Sequence, residues 1–333
     1  MDLTVRRARA DDRERVAAFT AETWADRDVD DYVADAFPAW VESDGPDQHT
    51  WVAEADGVVS GVIQASVLTP HEGWLAGLRV APTYRGEGVG VRLTNAGLDW
   101  LRGRGAAVAR NMVFSWNVPS LGLSRRTGFR PCTEFRFAHP DPDEGAEPAL
   151  TVGARPDAGW AFWTGSDART ALAGLALDGG RAWALSELTR ADVVAAADDG
   201  RLLTVHGGGT RGLALRIRSY DREVEGDGED AARGTADDAH GGGDRATGPV
   251  TWAEYGVGAW ADREAARALC RAVARDAARA GADRTRLLLP EGVRWASDAA
   301  AARVALADAP DFVLAADLSD PGVGSDDREA QGT

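Results

Sequence analysis

Short runs of alternating apolar and polar residues, separated by stretches with helical spacing, predict an α/β chain with two successive domains. Over residues 1–138 the predicted order of elements is βααβββαβαβ. The second and third strands meet at Asp56 and Gly57, a dipeptide typical of a tight hairpin turn. Strands are predicted over residues 3–7, 50–55, 58–68, 74–80, 106–114 and 129–137, and helices from a cap at 11 or 12 to about 24, over 29–41, from the glycine stretch to about 101, and over 119–127.

A second domain is predicted over residues 151–318. It is separated from the first by the linker 139–150, which begins HPDPDEGAEP and is rich in proline and acids. Helices are predicted over residues 169–177, 187–197, 262–280 and 295–306, and strands over 201–205, 211–218, 251–260, 285–289 and 312–318. The last five elements repeat the closing half of the first domain, so we expect a diverged second copy.

Two segments lack the apolar residues that a folded segment buries. Residues 221–249 are rich in acids and glycine and are predicted to form a disordered insertion between strands of the second domain. Residues 319–333 are predicted to form a disordered tail.

The charge of the chain bears on its partners and its origin. The formal net charge is −16, most of it after residue 140, and such a balance repels phosphate backbones and argues against nucleic-acid binding. Every basic residue is arginine. An acidic, lysine-free surface is typical of proteins from salt-saturated cytoplasms, where carboxylates keep the surface hydrated. A GC-rich genome also replaces lysine by arginine; both interpretations stay open, and we favour the halophilic one.

Cysteine usage and hydropathy indicate the compartment. Cys132 and Cys270 fall in different predicted domains, which favours free thiols in a reducing environment. The N-terminus lacks an apolar run, and no stretch approaches 18 uninterrupted apolar residues. The sequence therefore predicts a cytoplasmic protein with no membrane partner.

A glycine-rich turn, RGEGVG over residues 85–90, lies between a predicted strand and a long helix. Unpaired backbone N–H groups at a helix N-terminus, together with the helix dipole, make a cradle for an anion. A P-loop is excluded because the chain has no lysine, and a Rossmann fingerprint fails because the third glycine is not at the required spacing. Arg85 adds a fixed positive charge and a planar set of donors beside this cradle.

Two motifs in this order resemble the GNAT superfamily of acyl-CoA N-acyltransferases. The first is R-x-x-G-x-G at Arg85, Gly88 and Gly90, and the second is the segment NVPSLGLSRRTGF from Asn117 to Phe129. The resemblance implies a GNAT fold over residues 1–138, an α/β (α+β) domain with a mixed, mostly antiparallel sheet flanked by helices. It also implies acetyl-CoA as co-substrate, with no metal.

Carried over position by position, the resemblance implies roles for individual residues. The backbone of Leu78 and Val80 would pair with the pantetheine amides, and Asn117 would bond the pantetheine or orient the thioester. The Asn117 side chain is also suited to cap the helix that follows it. The loop that would hold the pyrophosphate comprises Arg85, Gly86, Glu87, Gly88, Val89 and Gly90.

The acid and the base of the reaction are less clearly marked. The family's usual tyrosine, which protonates the departing thiolate, aligns with Ser124, whose hydroxyl is shorter and far less acidic than a phenol. Ser124 is a candidate acid, a holder of water or a filler on the helix surface. Glu72 is the candidate general base, with His71 beside it. Trp24 and Tyr32 are candidates for shaping the amine pocket or the core.

Two classes of function remain from the sequence. One is an N-acetyltransferase that transfers acetyl from acetyl-CoA to a primary amine of a small molecule or peptide by direct attack in a ternary complex. The other is a catalytically weak or inactive acyl-CoA-binding sensor or scaffold. In the second domain Trp260 and Asp262 stand where a glycine loop would be, so this copy is not expected to bind CoA. A homodimer is left open.

Overall fold

The computed structural model describes residues 1–21, 23, 31–224 and 248–324, and these form two compact units. The first unit contains residues 1–132 and 313–324, and the second contains 133–224 and 248–312. The predicted domain boundaries, 1–138, 139–150 and 151–318, stay a prediction.

The helices and strands are numbered in chain order. They are β1 (Leu3–Arg7), α1 (Arg13–Thr20), α2 (Val33–Glu42), β2 (Gln48–Ala55), β3 (Val58–Thr69), β4 (Glu72–Val80), α3 (Val89–Gly103), β5 (Val108–Phe114), α4 (Val118–Arg126), β6 (Arg130–His139), β7 (Thr151–Gly153), α5 (Pro156–Thr164), α6 (Asp167–Ala171), β8 (Leu175–Leu177), β9 (Leu185–Glu187), α7 (Arg190–Asp198), β10 (Leu202–His206), β11 (Thr210–Val224), β12 (Gly248–Trp260), α8 (Arg263–Arg279), β13 (Arg284–Pro290), α9 (Val293–Ala301), β14 (Ala305–Leu306) and β15 (Asp311–Asp317).

The sheet of the first unit has the strand order β1-β2-β3-β4-β5-β15. The pairs β1–β2, β2–β3 and β3–β4 are antiparallel, and β4 and β5 are parallel. The predicted hairpin is confirmed, since Asp56 and Gly57 join β2 to β3 with φ of 49° and 79°. Positive φ at both central residues is the geometry of a two-residue hairpin turn that matches the twist of its strands.

Helices cover both faces of this sheet. Val62 of β3 packs in one cluster with Phe19 of α1 and Phe37 of α2. Its neighbour Gly61 points the other way, because a Cβ added there would lie 2.9 Å from a methyl carbon of Leu93 on α3. The α1–α2 pair and the α3 helix therefore lie on opposite faces of the first sheet.

The second unit repeats the main features of the first. Its sheet has the order β6-β13-β12-β11-β10-β7, with β14 also paired to β6, and β8 and β9 form a separate hairpin. Strands β12 and β13 are parallel, as β4 and β5 are in the first unit. The long helix α8 buries a face made of small and apolar side chains: Ala265, Ala266, Ala268, Leu269, Cys270, Ala272, Val273, Ala274 and Ala277.

Strand assignment is where the sequence prediction differs most from the structure. The strand predicted over residues 129–137 was expected to close the first domain, but β6 pairs with β13 from Phe135 to Ala138. Strand β15, near the C-terminus, lies beside β5 instead. An alternating pattern shows that a strand forms but carries no information about its partner, because pairing is set by contacts distant in sequence.

Smaller corrections concern the second half of the chain. The helix predicted over residues 169–177 is the short α6 followed by β8, with positive φ at Ala173 and Gly174 between them. Of the predicted insertion, 221–224 and 248–249 belong to strands, and 225–247 lie outside the described residues. Of the predicted tail, 319–324 are described, with Val323 only 4% exposed, and 325–333 lie outside the described residues.

Candidate functional site

Strand β4 carries a bulge in its second half. Arg79 pairs with Val62 and Ala76 with Gln64, so Gly77 and Leu78 together oppose a single residue of β3. Gly77 has a φ of 64°, and a Cβ there would lie 2.2 Å from Cη2 of Trp40 on α2. Only glycine both adopts this positive φ readily and leaves room for the Trp40 ring. The bulge turns the end of β4, so that its side chains change faces.

The bulge accompanies a separation of β4 from β5. The two strands pair only between Glu72–Trp74 and Val108–Arg110. No further pairing between them is found in the described part of the chain, although β4 continues to Val80 and β5 to Phe114. A slot thus opens between two parallel strands, with backbone groups of β4 on one side. Leu78 and Val80, the predicted pantetheine partners, both lie on this open part of β4.

The glycine loop stands at the open end of this slot. Gly86 and Gly88 have φ of 84° and 82°, and Gly88 is the N-cap of α3. The first N–H of α3 that bonds within the helix is that of Arg92, which donates to the Gly88 carbonyl. The N–H groups of residues 86–91 find no acceptor among the described residues. These donors and the helix dipole favour an anion at this point, and the exposed Arg85 adds a cation.

Helix α4 closes the other side of the loop. A Cβ on Gly90 would lie 2.9 Å from a methyl carbon of Leu123, so glycine at this position lets α4 pack directly on α3. At its start, the Asn117 side chain accepts a hydrogen bond from the Ser120 N–H at 3.2 Å, which makes it the N-cap. Asn117 therefore acts as a helix cap, and its predicted contact with the pantetheine stays a prediction.

Ser124 lies on the inner face of α4 and is 5% exposed. Its Oγ accepts a hydrogen bond of 3.0 Å from Nδ2 of Asn111 on β5. Asn111 directly follows Arg110, the last residue of β5 that pairs with β4. The structure thus brings Ser124 to the beginning of the slot. The sequence analysis missed Asn111, for which the only signal is an amide within the apolar strand sequence VARNMVF.

Glu72 lies at the closed end of the slot, where β4 and β5 are still paired. Its side chain is 5% exposed and forms an ion pair with Arg110, whose side chain is 8% exposed. The second carboxylate oxygen accepts from the Thr69 hydroxyl at 3.1 Å. Both oxygens are therefore engaged within the protein, while the neighbouring His71 is exposed. These contacts favour a structural role for Glu72 over the predicted role as general base.

The face of β4 that carries Arg79 is lined by aromatic and charged groups. Arg79 forms a 2.5 Å ion pair with Asp31 and lies over the ring of Tyr32, 5.5 Å from its centre. Tyr32 in turn contacts Trp40 edge to face, with ring centres 6.2 Å apart. Tyr32 is 38% exposed, so it borders this face rather than the core. Trp24, predicted with it, lies outside the described residues.

The second unit has the same strand geometry without the anion cradle. Strand β12 is bulged at Gly256 beside β11, and it pairs with β13 only from Trp252 to Tyr255. The N-terminus of α8 is capped by its own Asp262, which accepts from the Ala265 N–H at 3.0 Å. A protein carboxylate thus takes the position that an anionic ligand would need.

An ion pair with Arg211 at 2.7 Å holds the Asp262 carboxylate in place. Close by in sequence, the Trp260 indole, 1% exposed, donates to Asp298 at 3.0 Å. Burial acts to raise the pKa of Asp262, but the hydrogen bonds from Arg211 and Ala265 outweigh it and lower that pKa below its usual value. The cap is therefore a charged carboxylate at neutral pH.

The described residues give little evidence for a metal site or for a reactive cysteine. No group of three or more His, Cys, Asp and Glu residues there could hold a metal ion. Cys132 and Cys270 are both free, and burial raises the pKa of Cys270 to about 12, which makes its thiol unreactive. No helix among the described residues has both the length and the apolar character needed to cross a membrane.

Comparison with known families agrees with the loop, the slot and the helix that follows. Residues 11–129 match the family model described as acetyltransferase (GNAT) family. Residues 11–129 therefore form a GNAT acetyltransferase domain. The loop, the slot and α4 all lie within the matched residues, so the chain carries an acetyl-transferring domain. No curated protein sequence matches this chain.

Solved structures extend the likeness to the whole chain. A GCN5-related N-acetyltransferase from Sphaerobacter thermophilus is 15% identical, with 95% of this chain and 96% of that one covered and a TM-score of 0.57. PaiA N-acetyltransferase from Thermoplasma acidophilum, solved with coenzyme A, is 17% identical over 40% of this chain and 92% of its own, with a TM-score of 0.36. YncA from Salmonella typhimurium, solved with acetyl-CoA, is 25% identical over 40% and 83%, with a TM-score of 0.35. The first of these confirms the predicted fold class.

Proposed function

We propose that this GNAT enzyme transfers an acetyl group from acetyl-CoA to a primary amine of a small molecule or peptide, by direct attack in a ternary complex. The observation that carries the proposal is the slot between β4 and β5, which opens onto the N–H groups of residues 86–91. A long thioester with a pyrophosphate at one end fits that arrangement: the loop binds the pyrophosphate, and the open edge of β4 binds the amides of the pantetheine.

The proposed reaction needs three events at the closed end of the slot. The lone pair of the neutral amine attacks the thioester carbonyl, the C–S bond breaks, and the sulfur leaves as a thiolate that takes up a proton. Holding amine and thioester together supplies most of the rate. The Ser124 hydroxyl is the proposed donor to the departing sulfur, directly or through water; its contact with Asn111 at the beginning of the slot supports this role. The attacking nitrogen then loses its proton to a base.

We propose that the second unit is a diverged copy without a CoA site. The bulged β12 and the partial pairing of β12 with β13 support common geometry. The Asp262 cap supports the loss of binding, because a pyrophosphate at the N-terminus of α8 would be repelled by this carboxylate. The role left to this unit is structural.

A second candidate function is an acyl-CoA-binding sensor or scaffold. It is motivated by Ser124, which stands where the family's tyrosine is expected, and by the missing cradle in the second unit. Acetyl-CoA consumption, measured against amino acids, polyamines, aminoglycosides and peptide N-termini, separates the two functions. We expect turnover with at least one of these amine classes. Tight acetyl-CoA binding with no turnover in any class would favour the sensor.

Replacing Gly88 by Glu is expected to weaken acetyl-CoA binding by at least tenfold, about 1.4 kcal/mol. The new carboxylate would stand where the pyrophosphate binds, and the φ of 82° adds strain. Titration calorimetry measures the affinity. Gly57→Glu is the matched control, because Gly57 has a φ of 79° and open space around its Cβ but lies in the β2–β3 hairpin. Unchanged affinity in Gly88→Glu would remove the loop from the site.

Replacing Ser124 by Ala is expected to lower kcat about tenfold to a hundredfold, within the range that general acid catalysis contributes. The KM for acetyl-CoA should change little, since the loop remains. Ser124→Tyr should retain activity and raise kcat if the buried position accepts the phenol. Steady-state kinetics under saturating acetyl-CoA measures both variants. Wild-type kcat in Ser124→Ala would show that protonation of the thiolate does not limit turnover.

A further inference from the structure

We infer that Asn111 is a positioning residue, an inference that rests on the proposed acetyl transfer. Asn111 would orient the Ser124 hydroxyl so that it donates a hydrogen bond to the sulfur of CoA. The two side chains come from different elements, Asn111 from β5 and Ser124 from α4, and meet where β4 and β5 separate. Asn111 would act through Ser124 and not on the amine.

The direction of the hydrogen bond is the first argument. Asn111 Nδ2 donates to Ser124 Oγ at 3.0 Å. A serine hydroxyl has one proton and two acceptor positions. Because one acceptor position is used by the amide, the proton is left to donate elsewhere.

The behaviour of other hydroxyls in the same unit is the second argument. Thr20, Thr94 and Thr127 each donate to the carbonyl four residues earlier in their helices, at 2.9, 2.8 and 3.1 Å. This local bond is the usual one for a hydroxyl within a helix. The Ser124 hydroxyl makes no such bond in the described part of the chain. Its proton is therefore held away from the helix backbone.

An unsatisfied acceptor is the third argument. Oδ1 of Asn111 is buried and accepts no hydrogen bond from any described residue. A buried acceptor left in that state costs about 1–3 kcal/mol. Its position beside the slot suits an N–H or O–H donor that arrives with the co-substrate, either a pantetheine amide or an ordered water. The same side chain would then connect the bound co-substrate to Ser124.

The shortness of serine explains why a positioning residue is needed. A tyrosine reaches the sulfur by its length, whereas the Ser124 hydroxyl is close to the helix and can rotate among several directions. Donation from Asn111 restricts that rotation and polarises the hydroxyl. Thr127, one turn away, bonds only to helix carbonyls and is the matched control position.

The first test measures the acid dissociation constant of the thiol of bound CoA and needs no amine substrate. In the CoA complex of the full chain, the ultraviolet absorbance of the thiolate is followed against pH. We expect Ser124→Ala, Asn111→Ala and Asn111→Asp each to decrease the acid dissociation constant of the bound thiol by about threefold to tenfold, because the thiolate loses a hydrogen-bond donor. Thr127→Val should leave it unchanged. An unchanged constant in both Asn111 variants, with a lowered constant in Ser124→Ala, would overturn the inference.

A double variant separates positioning from general damage. The Asn111 amide acts on the thiol through the Ser124 hydroxyl, so the effect of removing the amide vanishes once the hydroxyl is gone. Asn111→Ala, which adds no charge, should therefore change the acid dissociation constant of the bound thiol no further when it is added to Ser124→Ala. An additive effect would mean that Asn111 acts independently of Ser124. If Asn111→Ala melts early, Asn111→Leu, which also lacks the amide and adds no charge, carries the same comparison.

The second test uses turnover once an amine is found. Asn111→Asp should lower kcat with little change in the KM for acetyl-CoA, and its kcat relative to wild type should recover as falling pH protonates the carboxyl, which can then donate to Ser124. A pH-independent ratio would contradict the inference. If no amine is acetylated, the proposed function fails, while the thiol measurement still decides the role of Asn111.

Discussion

A chain that ends at Pro310 is expected to lose the fold of the first unit and its affinity for acetyl-CoA. The missing part contains β15, which lies beside β5, and the turn that follows it. Four of its apolar side chains are at most 4% exposed: Val313, Leu314, Leu318 and Val323. At about 1.5–3 kcal/mol for each buried side chain, their loss amounts to about 6–12 kcal/mol. This is comparable to the whole free energy of unfolding of a domain, about 5–15 kcal/mol.

Polar contacts made by the same segment would be lost with it. The Leu318 N–H donates to the Ala107 carbonyl at 2.9 Å, beside the start of β5. Arg102, in the last turn of α3, donates to the carbonyls of Leu318 and Val323 at 3.1 and 2.7 Å. The segment therefore holds together the C-terminal end of α3 and the strand that borders the slot.

Circular dichroism and acetyl-CoA calorimetry measure the outcome of this truncation. A chain that ends at Gly324 is the matched control, because it keeps every described residue and removes only SDDREAQGT, which has no large apolar side chain. We expect the control to melt and bind as the full chain does. A fragment of residues 1–138 should also fail to bind, since it lacks β15. Full acetyl-CoA affinity in the chain that ends at Pro310 would show that β15 is dispensable.

Most helices and strands were predictable because their signals are local. The Asp56-Gly57 turn requires positive φ, and both residues have it, so β2 and β3 follow from a dipeptide between two apolar runs. Helix α3 follows from the glycines and from the apolar spacing after them. By contrast, β6 and β15 look like ordinary strands in sequence, and nothing local predicts that β15 joins the first unit.

In the candidate site, too, some features were predictable from local sequence and others were not. The donors of residues 86–91 follow from one contiguous motif. The bulge at Gly77 does not, because its glycine is required by Trp40, which lies 37 residues earlier and was not placed beside it. The contact of Asn111 with Ser124 joins a strand to a helix and is visible only after folding. A cytoplasmic location and a halophilic origin stay predictions from composition alone.

Replacing Glu72 by Gln is expected to destabilise the first unit by about 3–5 kcal/mol, because it removes the carboxylate that pairs with the buried charge of Arg110. The two side chains are 5% and 8% exposed, so water cannot compensate for the lost carboxylate. Urea unfolding measures the free energy, and the midpoint should fall with no change in slope. Removing both charges, with Glu72→Gln and Arg110→Met together, should restore most of the loss, since no unpaired charge then remains.

The same variant decides between the structural and the catalytic role of Glu72. A general base typically contributes a factor of about 10² to 10⁴ to the rate. If Glu72 only pairs with Arg110 and accepts from Thr69, kcat per folded molecule should stay within about twofold of wild type at a temperature where Glu72→Gln remains folded. A variant with wild-type stability and a hundredfold lower kcat would reverse the assignment and make Glu72 the base. We expect loss of stability with activity retained, because both carboxylate oxygens are already engaged within the protein.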